Sequence, residues 1–190
     1  MWPWEHLCFG YLLHWSVGRA RGDVALGDRP VLVLAFATQF PDLVDKPLAW
    51  WLHVLPNGLS LAHSALVALP LSLVVAAVAR RAGHGPSGVA FGVGYGSHLL
   101  GDMLFNSLTS GRLAWTFLAW PLVARPTVTE SFGEQVVTLL GSFAAYLATP
   151  AGGAYLGGEA VLVGAALLRW RADGYPGLGH VRRGTTPGRE

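Results

Sequence analysis

Apolar residues in this chain fall into blocks separated by short stretches that carry most of the charge. Trp4 to Val17 is the first block, about 14 residues with Glu5, His6 and His14 in it, closed by Arg19 and Arg21. A bilayer-spanning helix takes roughly 17–25 residues, so this block is short for a span. Gly22 to Pro30 reads as a polar turn. Val31 to Phe40 is again apolar and short, and is expected to stop at Phe40-Pro41-Asp42, because proline disfavours helix in the residue before it. Pro41 to Gly58 then reads as a connector holding Asp42, Asp45, Lys46, Trp50, Trp51 and His53. Leu61 to Ala79, about 19 residues without a formal charge and ending on Arg80-Arg81, is the strongest span candidate in the pattern. A loop with His84 and Pro86 leads to the segment Val89 to Phe105, otherwise apolar, which carries His98 and Asp102. An aromatic stretch around Trp115 to Leu122 follows. Val136 to Leu168 is apolar and rich in Gly and Ala, broken near Pro150 to Gly153, and reads equally as two short spans or one long broken span. There is no strand-like alternation and no internal repeat. The pattern predicts an all-α, multi-pass membrane helical bundle of about four to six helices. Residues 1–168 are expected to form one membrane-embedded domain, and 169–190 a basic, disordered tail.

Composition sharpens the class. Of 190 residues, 52% are hydrophobic and 13% charged, with a mean hydropathy of +0.43. Soluble domains carry about 25% charged residues, so the chain reads as an integral membrane protein. A net charge of +2 without a basic patch gives no reason to expect nucleic acid. The single cysteine, Cys8, excludes an internal disulfide and a thiolate-based zinc site. Paired tryptophans such as Trp50-Trp51 suit the interfacial belt of a bilayer. The opening Met-Trp-Pro-Trp lacks the basic region of a signal peptide.

Charge also orients the chain. Arginines favour the cytoplasmic side. With Arg80-Arg81 inside, and with Arg19 and Arg21 ending an inward first segment, His6, Asp42, His63, His98 and Asp102 all come to the outer face.

Those five residues are the candidate chemistry. His98 and Asp102 are four apart, which on a helix puts their Cβ atoms roughly 5–6 Å apart on one face. Both can then reach one ion at the usual bond length of about 2.0–2.2 Å. An ionised carboxylate at mid-bilayer costs at least about 2.5–3.5 kcal/mol, so a chain that keeps one pairs it, binds it to a metal or uses it. Histidine and carboxylate ligands without thiolate suit zinc, and also manganese or iron. The alternative is a His–Asp contact that packs helices. Asp45 is a further candidate, as a second ligand or a general base. Ser64 and Ser97 adjoin candidate ligands, Gly94, Gly96 and Gly101 are candidates for close helix contact, and Lys46 and Arg112 for holding a phosphate.

Four motifs in order, Phe-Pro-Asp-Leu-Val-Asp (Phe40 to Asp45), Leu-Ala-His-Ser (Leu61 to Ser64), Gly-Ser-His-Leu-Leu-Gly-Asp (Gly96 to Asp102) and Trp-Pro-Leu (Trp120 to Leu122), resemble the YdjM-like family of predicted membrane-bound metal-dependent hydrolases. The resemblance covers about residues 4–125. That family is in turn similar to the zinc-dependent phospholipase C and single-strand nuclease superfamily, whose early His, Asp, His and His-x3-Asp match His6, Asp42, His63, His98 and Asp102. The soluble enzymes add an N-terminal amine and a later His, His and Glu. After Asp102 this chain has His180, Glu130, Glu134 and Glu159, at no matching spacing, so one ion or at most two is expected. The resemblance implies a metal-dependent hydrolase in the cell membrane, with metal ligands His6, Asp42, His63, His98 and Asp102 and with Asp42 and Asp45 as catalytic residues. Its cofactor is a divalent metal, zinc first. Its partners are membrane lipid and a lipid or lipid-linked phosphoester substrate. The competing expectation is a non-enzymatic membrane protein whose cluster binds metal or haem, or joins helices.

Overall fold

The computed structural model describes residues 1–20 and 27–179; Arg21, Asp23 and residues 180–190 lie outside the described residues, and of the tail expected to be disordered from 169, residues 169–172 are helical. Six helices account for most of the chain: α1 (Pro3–Ala20), α2 (Asp28–Trp50), α3 (Ala65–Arg81), α4 (Gly85–Ser110), α5 (Phe132–Leu147) and α6 (Pro150–Ala172), with a 3-10 turn at Thr116–Ala119. Among the described residues there is no strand. The all-α expectation and the helix number hold. Val136 to Leu168 resolves into two helices, split where Thr149 caps α6 by accepting from Gly152 N–H, with Pro150 at its first turn.

Two boundaries differ from the sequence pattern. α2 does not stop at Phe40 but runs through Pro41 and Pro47 to Trp50, so most of the expected connector is helix. A proline inside a helix removes one hydrogen bond and costs about 3 kcal/mol. Here Pro41 is buried, on a helix that packs along α4. Burial of a continuous face, with Leu34, Ala37, Thr38 and Asp45 on it, offsets the penalty. α3 is shorter than expected. It starts at Ala65, because Ser64 accepts from Leu66 N–H as its N-cap and Leu61 to His63 belong to the preceding loop. Among the described residues the helix long and apolar enough to cross a membrane is α6, and not the Leu61–Ala79 stretch.

α4 is the central helix, packed against α1, α2 and α3. Glycines permit the approach. A Cβ on Gly94 would sit 2.9 Å from Ala37 Cβ and from Leu34 O, and one on Gly10 would sit 2.5 Å from Thr38 Cγ2. Gly101 meets Met1 and His6, whereas Gly96 faces open space, so its expected packing role is not found. Tyr95, Phe91 and Phe40 form the aromatic core beside the site.

The contacts fix helix direction. Arg29 meets His84, Leu34 meets Gly94 and Thr38 meets His98, so α2 and α4 run parallel. α1 and α3 run opposite, since His6 is beside His98 and Ala76 is beside Gly88. α6 follows α1, with Tyr155 on Glu5 and Asp173 on Tyr11 (2.7 Å). α5 is different: its start, Phe132, packs on Trp50 and Trp51, and Phe143 packs edge-on to Trp2. Both partners stand at the same end of the bundle, so α5 lies across that end. A capping box between Ser131 and Glu134 starts it, and the Ser131 hydroxyl holds the Glu134 carboxyl below its usual pKa.

Candidate metal centre

The end of the bundle crossed by α5 holds the cluster. α2 supplies Asp42 and Asp45, the loop before α3 supplies His63, α4 supplies His98 and Asp102, and α1 supplies His6. His6, His63, His98 and Asp45 are fully buried, Asp102 is nearly so, and Asp42 is partly open.

Each central histidine is held from behind. The Nδ1 of His98 is 2.6 Å from the carbonyl of Thr38, and the Nδ1 of His63 is 2.8 Å from Asp45 Oδ2. A carbonyl and a carboxylate can only accept, so each ring carries a proton on Nδ1, and in the neutral ring its Nε2 presents a lone pair. Those two Nε2 atoms face each other at 3.0 Å. With both rings neutral, neither has a proton to give the other. The remaining neighbours are also acceptors: Asp42 Oδ1 is 3.5 Å from His63 Nε2 and 3.8 Å from His98 Nε2, and Asp102 Oδ2 is 3.4 Å from each. Four ligand atoms thus converge, all within 4.8 Å of one another. A tetrahedral ion with bonds of about 2.0–2.1 Å places its ligands about 3.3 Å apart. The observed 3.0–3.8 Å separations bracket that value. With both rings neutral these are four acceptors converging in a buried space, and a cation between them would satisfy all four.

Behind this group, Asp45 is used fully by the protein. Its oxygens accept from Ser60 N–H (2.8 Å), Ala62 N–H (2.8 Å), His63 N–H (3.2 Å) and His63 Nδ1. It stands behind His63 and outside the group of four. Tyr95 adds a hydrogen bond to the Ala62 carbonyl (2.6 Å), and Ser64 donates to the Trp120 carbonyl (2.5 Å), which ties the Trp-Pro-Leu stretch to the same loop.

His6 adds a second lobe. Its ring stacks on His98 with centroids 3.8 Å apart, and its Nε2 is 3.3 Å from Asp102 Oδ1 without hydrogen-bond geometry. The Met1 amine donates to the same oxygen (2.7 Å). Asp102 therefore turns one oxygen to the His63–His98 pair and the other to His6. On the open side, Lys46 donates to Asp42 Oδ2 (2.6 Å), and its stem lies on Gly58 with the amine over the Trp50 ring.

The five residues expected as ligands are thus brought together, four directly and His6 through Asp102. His14 is buried further along α1, while His53 and His84 are exposed. One contributor does not show in the sequence pattern: the Thr38 carbonyl is a backbone group with no sequence signature.

The family model described as YdjM inner membrane protein matches residues 1–172. The chain belongs to this family. No curated protein and no solved structure matches it. The match runs past the four motifs to the end of α6, the apolar helix long enough to cross a bilayer.

Proposed function

We propose that this YdjM-family protein is a membrane-bound, metal-dependent hydrolase of phosphoesters in lipid or lipid-linked substrates. The observation that carries the metal is the pair of Nε2 atoms facing each other at 3.0 Å between two carboxylates. Asp42, His63, His98 and Asp102 would hold a divalent ion, zinc first on this ligand set, with manganese and iron as alternatives. His6 and the outer oxygen of Asp102 would hold a second. Such an ion supplies Lewis acidity and lowers the pKa of water towards ~7. The chain's own part is positional. Thr38 O and Asp45 fix the two imidazole tautomers, and Lys46 fixes Asp42. Lys46 and Asp42 are the least buried members of the cluster, which makes their side the way in for substrate. Lys46, on that side, carries the charge to bind an anionic ester. Asp45 serves here by orienting His63, since four N–H groups already occupy its oxygens.

The membrane arrangement follows from the ends of the helices. Arg19, Arg29, Arg80, Arg81, Arg169 and Arg171 all stand at the end opposite the cluster. That end faces the cytoplasm by the positive-inside rule, and the site faces out. α6 meets the length and hydropathy of a span by itself, and in this proposal α1 to α4 cross beside it as a packed bundle. α5, at 16 residues about 24 Å long and anchored on aromatics of one end, rests along the outer surface.

A second reading is a metal-binding protein without turnover, because four protein ligands already complete a tetrahedron. Hydrolysis then requires a fifth position. The discriminating experiment assays purified, metal-loaded protein against phospholipid and polyprenyl phosphoesters beside His63→Ala. Metal-dependent release of product, abolished in the variant, supports the hydrolase. Stoichiometric metal with no turnover on either substrate class supports the second reading.

A further inference from the structure

At the arginine-rich end of the bundle, far from the metal cluster, α2 and α4 begin side by side and α3 ends. A groove of about 350 Å³ opens there between them. Its wall is apolar, made by Val33 from α2 and by Val74, Val75, Val78 and Ala79 from α3. At its mouth Arg29 Nη1 stands 2.7 Å from His84 Nε2. Arg80 and Arg81 end α3 just beyond. The starts of two parallel helices meet at this mouth, and each brings the positive end of its dipole. The nearest acid of α2, Asp28, is turned away, accepting from Gly177 N–H (2.7 Å) after α6.

We propose that this groove binds an anionic glycerophospholipid of the inner leaflet, with its phosphate on Arg29 and His84 and an acyl chain along the valines. Charge complementarity selects the headgroup. Arg29 donates to His84 Nε2, so its remaining guanidinium N–H groups and the His84 Nδ1–H are the donors left for one phosphate, and Arg80-Arg81 add long-range attraction. Apolarity selects the tail. The α3 part of the groove, Val74 to Ala82, is about 12 Å long, enough for the upper half of an acyl chain. A zwitterionic lipid brings a cationic group to the same arginines and is disfavoured. A free phosphate has no use for the valine wall. The site is independent of the metal cluster and of any hydrolysis there.

The test is native mass spectrometry of detergent-purified protein titrated with phosphatidylglycerol, phosphatidylcholine or inorganic phosphate. Wild type is expected to bind phosphatidylglycerol at least about tenfold more tightly than phosphatidylcholine. The double variant Arg29→Gln/His84→Gln is expected to lose that preference while keeping its helical circular dichroism and its metal content. Arg80→Gln/Arg81→Gln is expected to keep most of the preference. Should the double variant misfold, His84→Gln alone reports, with a partial loss expected. Equal binding of the two lipids by wild type overturns the proposal. So does a preference unchanged by Arg29→Gln/His84→Gln or, where that variant misfolds, by His84→Gln. Binding of inorganic phosphate as tight as that of the lipid overturns the lipid as occupant.

Discussion

A few atoms decide the chemistry of this protein. His63 and His98 each spend Nδ1 on an acceptor behind them, and so aim Nε2 at the same point as Asp42 and Asp102. Asp45→Asn is a probe of that arrangement, because it keeps the shape while weakening the hold on His63. Loss of such an orienting partner costs roughly 10–100-fold in metal affinity. Competition with a chromophoric chelator is expected to show a drop in that range for Asp45→Asn, against complete loss for His63→Ala. An unchanged affinity in Asp45→Asn would show that His63 needs no support from behind. The glycines of α4 offer a paired test. Gly94→Ala places a methyl 2.9 Å from Ala37 Cβ and Leu34 O, and overpacking of this kind costs about 1–3 kcal/mol. Gly96→Ala meets nothing within 4 Å, and is expected to be neutral or slightly stabilising in thermal unfolding. Equal effects of the two would contradict the close approach of α2 and α4.

Helices position these atoms, and at this scale the sequence is legible in part. The His-x3-Asp spacing on an apolar helix is enough by itself to put His98 and Asp102 on one face. Order and orientation bring His6, Asp42 and His63 to the same end. What does not read is α2. Pro41 is a stop signal locally, and only the burial of its face along α4 explains why the helix goes on. That continuation matters, since it sets Asp42 and Asp45 one turn apart on a rigid helix. The Leu61 stretch misleads in the other direction. Its apolar residues suggest helix, while Asp45 holds neighbouring backbone N–H groups in a loop. α5 is the element whose course has most consequence for topology. In the proposed arrangement it rests on the outer surface and leaves both its ends on one side. Thr129→Cys and Thr149→Cys, each made in a Cys8→Ala background, are therefore expected to label with a membrane-impermeant maleimide from the same face. Labelling from opposite faces would make α5 a crossing helix.

The whole molecule divides its chemistry by depth. One end gathers the candidate metal ligands and an aromatic rim, with Arg112 and Arg125 beside them, the other gathers six arginines, and the helices between carry apolar residues on their outer faces, with Leu69, Leu73, Val74 and Val78 of α3 exposed. Such a surface suits lipid around it. Membership of the YdjM inner membrane protein family agrees with that surface. Family and the all-α class are both legible in the sequence because they rest on motif order and hydropathy, which local residues carry. The tautomers, the role of Asp45 and the division of Asp102 between two lobes are not, because each depends on atoms brought from other helices. The division of Asp102 gives one more expectation. His6→Ala is expected to keep the ion between His63 and His98 and to lose any second equivalent, whereas Asp102→Ala affects both.

Metal content tests the central claim most directly. Detergent-purified protein, wild type beside His98→Ala and Asp102→Ala, would be measured by inductively coupled plasma mass spectrometry after exposure to zinc and removal of loosely held ions. One to two equivalents of metal in wild type, lost in His98→Ala and in Asp102→Ala, is the predicted result. Wild type that is folded and yet retains no metal, as isolated or after loading with zinc or manganese, would contradict the account and leave the histidines and aspartates as contacts between helices.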